Sequence, residues 1–216
     1  MKDTSFTVAY VVLADQRRSR HTPDAVPTAL DDLADLPADA VLLGFERTAG
    51  DEIQGLLVSA DTVVAAVRSL VRRGQWRIGV GIGAVDTPLP RSTRAARGPV
   101  YLAARAALEA ARAPAAGVAL RVSSPATAAE DPLSAGWQAE SALLLWTHLL
   151  SRRSTEGWEI CDLLERGLPN RAAAAELAIS PSAASQRASR AAYVEGRRGA
   201  VLVSRLLVRA AEEADR

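Results

Sequence analysis

Apolar and polar positions follow two alternating periods over the first 122 or so residues. Phe6 to Ala14 is a nearly unbroken apolar run, as expected of a strand buried on both faces. Ala25 to Leu36 carries apolar residues at helical spacing behind the start signals Pro23 and Asp24. Val41 to Phe45 and Ile53 to Val58 read as two strands joined through the turn residues Gly50, Asp51 and Glu52. Asp61 to Arg73 predicts a second helix with the stripe Val63, Val64, Val67, Leu70 and Val71, closed by Gly74. Arg77 to Val85 is a further strand, and Gly79, Gly81 and Gly83 leave one of its faces bare, so that another backbone or a ligand can come close. A Pro-, Arg- and Thr-rich loop at 86–98 leads to a helix from Pro99 to about Arg112 and a short strand, Val118 to Val122. This order predicts an α+β, ferredoxin-like sheet with helices on one face, occupying residues 1–125.

Residues 126–136 read as a linker, and beyond it strand signals vanish. Residues 137–216 predict an all-α domain: Gln138 to Leu150, Glu156 to Arg166, Arg171 to Ala178, Pro181 to about Ala192, and Ser204 to Glu213. Ser180 caps the fourth of these and Pro181 takes its first turn, where proline is favoured. Ala184, Ala188 and Ala191 share its inner face; Ser182, Ser185, Gln186 and Ser189, flanked by Arg187 and Arg190, share the other. Small inner residues let two short helices cross closely, and the outer hydrogen-bonding residues suit base edges in a major groove. The pattern from Asn170 and Arg171 through Ala174, Leu177, Ile179 and Ser180 resembles the helix-turn-helix of sigma-factor region 4 and related regulators.

Charge changes the weight of that reading. The chain is +1 overall, yet from Arg166 to Arg209 eight arginines face Glu176 and Glu195, a local surplus of six positive charges. Positive charge is concentrated where phosphates would be met. Arg171 belongs to this set, and Arg197-Arg198-Gly199 reads as a phosphate-contacting turn. The competing reading is a helical packing or dimerisation unit with a solvated arginine face. With 216 residues, 49% of them hydrophobic, the chain is long enough for a substantial core. A single cysteine, Cys161, gives no internal disulfide, and no Cys/His set has zinc spacing. The first apolar run is too short for a signal peptide or a membrane span, so a cytoplasmic protein with no membrane partner is expected.

Candidate chemistry centres on two acids. Asp51 sits at the hairpin tip and Asp15 ends the first strand. Carboxylates at one end of neighbouring strands are one way to hold Mg2+; a solvated acidic turn is the other reading, because Asp tolerates turn geometry.

The runs Ala14-Asp15, Ala49-Gly50-Asp51-Glu52, Arg77 to Gly83, and Gly98-Pro99-Val100-Tyr101 with Ala104-Arg105 occur in an order that resembles class III nucleotide cyclases. Gly50 to Leu57 together with Gly98 to Tyr101 is more similar to the SatD family, a cyclase-type domain followed by a helix-turn-helix. The resemblance implies that Asp15 and Asp51 are metal aspartates, that Arg105 stabilises a transition state, and that Arg47 lies near a base-selecting position. It also implies nucleotide and DNA as partners and a homodimer as the assembly. Tyr101 stands where cyclases carry an asparagine, and Ala103 and Ala84 replace polar residues frequent in the family. These departures favour a DNA-binding regulator with a sensing or dimerising cyclase-like domain over a nucleotide cyclase or nucleotidyltransferase.

Overall fold

The computed structural model describes residues 7–113, 117–123 and 131–216. Phe6, the predicted start of the first strand, and residues 126–130 of the predicted linker lie outside them. The described chain is mixed α/β, with a five-stranded mixed sheet and eight α-helices. The strands are β1 (Thr7–Gln16), β2 (Val41–Arg47), β3 (Glu52–Leu57), β4 (Trp76–Val85) and β5 (Val118–Val122), in the order β2-β3-β1-β4-β5. β1 is antiparallel to both β3 and β4, β2 is antiparallel to β3, and β4 runs parallel to β5. β1 is central, which is why Ala9 to Ala14 is an unbroken apolar run: both faces of the strand are covered.

Helices cover the sheet on both sides, not on one as the sequence predicts. On one face, α1 (Val26–Ala34) and α2 (Ala60–Arg73) pack with Tyr10, Val12, Ile53, Leu57 and Ile78. On the other, α3 (Pro99–Ala110) sets Val100, Ala104 and Leu108 against Ala9, Val11, Leu13 and Leu56. The glycines of β4 explain how α3 fits. A Cβ on Gly79 would collide with the Leu108 nitrogen and lie 2.6 Å from the Ala104 oxygen. A Cβ on Gly81 would collide with the Ala104 nitrogen and the Val100 oxygen. The bare face therefore receives a helix backbone.

The helical remainder comprises α4 (Ala135–Ser151), α5 (Thr155–Glu165), α6 (Asn170–Glu176), α7 (Pro181–Arg190) and α8 (Tyr193–Ala214). Ser134, Ser154 and Ser180 cap α4, α5 and α7 by accepting from backbone N–H groups three residues on. α4 absorbs the last two residues of the predicted linker. α8 starts at Tyr193, well before the predicted Ser204, so Arg197 and Arg198 lie inside a helix and form no turn. α4 and α8 pack into the sheet core: Leu143, Trp146, Leu150, Val203 and Leu207 belong to the cluster that holds Ile78 and Leu120. The Tyr10 hydroxyl reinforces this by donating to the Leu207 carbonyl at 3.3 Å. Among the described helices beyond the sheet, α5 to α7 enclose a core of their own, around Ile160, Leu163, Ala173, Ala174 and Ala184. Among the described residues no helix is long and apolar enough to cross a membrane.

Candidate functional site

Register alone brings the acidic rim together. Asp15 on β1 lies opposite Glu52 on β3 and opposite Arg77 on β4, so the three share a row on the α3 face. Asp15 Oδ2 accepts from Arg77 Nη1 at 2.8 Å. Burial, and next the nearby Asp51 charge, push the Asp15 carboxyl above its ordinary range; Arg77 opposes them without cancelling. The Gln16 N–H donates to the Asp51 carbonyl at 3.1 Å, which holds the hairpin tip against the end of β1. Asp15 and Asp51 thus stand at one rim, as the sequence predicts.

The two predicted arginines part company. Arg105 of α3 makes a two-point ion pair with Glu52, one arm Nη2 to Oε1 at 2.8 Å and the other Nη1 to Oε2. This hydrogen bonding holds its guanidinium pKa above the usual value, while burial works against it. Arg47 is opposite Ile53 in the β2–β3 ladder, and Ile53 faces α1 and α2. Arg47 therefore sits on the other side of the sheet from Arg105. It pairs with Asp24 at 2.5 Å and donates to the Gly50 carbonyl at 2.8 Å. Arg105 and Asp15 are brought to one face; Arg47 is not.

Asp15 and Glu52 each already meet an arginine, and among the described residues no three Asp, Glu, His or Cys side chains stand together as a metal-holding set. Of the two acids expected to hold Mg2+, Asp15 is tied to Arg77, and Asp51 stands near it without an ion pair among the described residues.

The α6–α7 unit is built by a local device. α6 ends in a Schellman motif: the Ile179 N–H donates to the Ala174 carbonyl at 3.0 Å, and the Ala178 N–H to that of Ala175 at 3.1 Å. Ala178 takes the left-handed position with φ of 52°. Pro169 stands at the N-cap of α6, and the Asn170 Nδ2 donates to the Pro181 carbonyl at 2.9 Å and so ties the two helices together. Ala184 is fully buried between them. Ser182, Ser185, Gln186, Ser189 and Arg190 are exposed on α7, with Arg187 half-buried beside them. Arg171 on α6 and Arg197 and Arg198 on α8 are exposed as well. None of Arg171, Arg187, Arg190, Arg197 and Arg198 makes an ion pair among the described residues, whereas Arg68, Arg72, Arg73, Arg77, Arg105 and Arg121 do.

Sequence reasoning missed the joint between the two parts. Trp158 of α5 has Arg68, Arg72 and Arg153 within 5.1, 5.4 and 4.8 Å of its ring centre. Asp162 of α5 accepts from Arg68 at 2.8 Å and from Arg72 at 2.5 Å, and Glu165 meets Arg68 at 2.8 Å. The sequence signal was slight: Arg68 and Arg72 are four apart and share one face of α2.

Comparison of the chain with models of protein families, with curated proteins and with solved structures finds no match.

Proposed function

We propose that this chain is a DNA-binding transcriptional regulator in which α7 enters the major groove. The observation that carries this reading is the outward face of α7. Its serines and glutamine are exposed and set among arginines without ion-pair partners among the described residues, while the buried alanine face crosses α6. Ser182, Ser185, Gln186 and Ser189 would address base edges; Arg171, Arg187, Arg190, Arg197 and Arg198 would meet phosphates. The α/β body is assigned the sensing or pairing role. Support for a ferredoxin-like, cyclase-type body comes from the β2-β3-β1-β4 order, with β5 appended beside β4. A homodimer would match a two-fold operator.

Mobility shifts with genomic fragments test the assignment. Gln186→Ala should relax sequence preference, and Arg190→Ala should weaken binding across sequences. Wild-type affinity should fall steeply with salt through counterion release. Unchanged affinity and preference in both variants would remove α7 from the interface.

One observation favours a second reading, nucleotidyl transfer in the α/β body: the charge of Asp51 reaches Asp15 at the rim. Incubation with each nucleoside triphosphate and Mg2+ or Mn2+, followed by mass spectrometry, tests it. Product that is lost in Asp51→Ala would support it, and no product from any triphosphate would reject it.

A further inference from the structure

A cleft of about 410 Å3 opens where α2, α4, α5 and α8 meet, between the α/β body and the α5–α7 unit. That size lies within the range of small-molecule sites, about 300–1,000 Å3. Val64, Leu150, Ala200 and Val201 supply apolar wall, and Trp146 closes one side, its indole N–H fixed on the Gly196 carbonyl at 2.9 Å.

Three cations line the same space, Arg68, Arg153 and Arg197, against two acids, Asp61 and Glu165. Glu165 is paired with Arg68 at 2.8 Å, and Asp61, which has no ion pair among the described residues, accepts a hydrogen bond from the Ser204 hydroxyl at 2.5 Å. Arg68 is held by Asp162 and Glu165, each at 2.8 Å, but Arg153 and Arg197 are less well served. Arg153 is anchored by Nε on the Ala191 carbonyl at 2.8 Å and stacks on Trp158, but no carboxylate pairs with it among the described residues. Burial pushes its pKa down, the mark of a cation short of compensation. Among the described residues Arg197 makes no ion pair and donates to the Tyr193 hydroxyl at 3.5 Å. The Arg68 Nε is buried without a hydrogen-bond partner among the described residues. A space with apolar walls and a surplus guanidinium charge is complementary to an apolar body that carries one anionic group, and a planar carboxylate suits the guanidinium fork.

We propose that this cleft binds a small apolar carboxylate, an aromatic or medium-chain acid, with its carboxylate on Arg153 and Arg197 and its body against Val64, Leu150 and Ala200. Because the site lies between α2 and α5, an occupant alters how the α5–α7 unit sits on the body. Resting on the DNA-binding reading above, the acid is the effector of the regulator.

Isothermal titration calorimetry of the full chain with benzoate, indole-3-acetate and octanoate, each beside its primary amide, tests the site. At least one acid should bind one-to-one with Kd below about 1 mM, and its amide at least tenfold more weakly. Arg197→Gln, a change at an exposed side chain, should weaken the acid about tenfold. Ala200→Leu, which fills the cleft, should abolish binding. No heat from any acid, equal binding of acid and amide, or wild-type binding in both variants would each overturn the proposal. Mobility shifts run with and without the bound acid separate the two readings. A tenfold change in DNA affinity supports the effector role, and DNA binding indifferent to saturating acid removes it. Absence of any DNA binding rejects the regulator reading while the calorimetry still decides the cleft.

Discussion

Arg105 and Glu52 are joined by two parallel contacts across the α3–β3 junction, and the Thr48 hydroxyl adds a third hydrogen bond, to Glu52 Oε1 at 2.6 Å. Glu52 is only 9% exposed, so the cost of burying it is offset by these partners. Arg105→Ala leaves a nearly buried carboxylate with Thr48 alone. The expected cost is about 1–3 kcal/mol, a Tm drop on the order of 3–10 °C. Arg105→Lys should recover little of it, because an ammonium makes one contact where the guanidinium fork makes two. Thermal melts of the single variants, with Arg105→Ala/Glu52→Ala closing a double-mutant cycle, read the coupling directly. The pair fastens α3 to the rim, and an arginine held this way is not free to neutralise a phosphate until Glu52 releases it.

Asp15 behaves oppositely. Its folded pKa is raised by burial and by Asp51, so the ionised form is less favourable in the folded chain than in the unfolded one. The resulting penalty is fully present above the folded pKa and disappears as pH falls below the ordinary aspartate value of about 3.9. Asp15→Asn removes it. The variant should melt higher than wild type at pH 7, by a few degrees at most because contact with Arg77 is lost, and the gap should close as the pH is lowered to about 3.5. Melts across that range check the sign. A gap that widens on acidification would mean that the Arg77 contact outweighs burial.

The clasp on Trp158 makes a prediction about the joint. Asp162 holds Arg68 and Arg72 in place against the indole, and all three are partly solvent-exposed. Asp162→Ala should cost about 1–2 kcal/mol globally, since partly exposed pairs are screened. Its larger effect should be local. Amide exchange in α5 to α7 should accelerate while β1 and β4 keep their protection. Uniform loss of protection would mean that the two parts unfold as one unit.

How much of this was legible in the sequence follows from how local each signal is. Strand and helix positions were readable because β1, α2 and α7 carry their periods without interruption, and because Gly74 and Ser180 mark ends that local geometry dictates. The rim rests on more than local signals: Asp15 ends β1, outside the β2–β3 hairpin, and meets the Asp51 turn because β1 pairs with β3. The glycines of β4 announced a close approach, but only tertiary packing decides that α3 provides it, and on the face opposite α2. Arg197-Arg198-Gly199 looked like a turn because glycine disfavours helix. In the fold Gly199 is needed inside α8, where a Cβ would sit 2.6 Å from Trp146 Cδ1. The ion pairs joining residues 68 and 72 to 162 span 94 and 90 positions, beyond the reach of any periodicity.

Two neighbouring helix ends offer a matched comparison. α5 closes in a Schellman motif with Gly167 at the left-handed position, φ of 87°, the Leu168 N–H donating to the Leu163 carbonyl at 3.2 Å. α6 closes in the same motif with Ala178 there, φ of 52°. A Cβ in this region costs about 1–2 kcal/mol, partly returned by the lower entropy of the unfolded alanine. Nothing lies within 4 Å of a Cβ built on Gly167, so Gly167→Ala tests the backbone alone and should destabilise by about 1 kcal/mol. Ala178→Gly should stabilise by a similar amount, roughly 0.5–1 kcal/mol. Since Ala178 sets the angle at which α7 leaves α6, the glycine variant also asks whether strain there serves a purpose. If DNA affinity falls while Tm rises, the alanine holds α7 in the orientation that binding requires. If affinity and Tm rise together or affinity stays level, the left-handed alanine is strain without a role in docking.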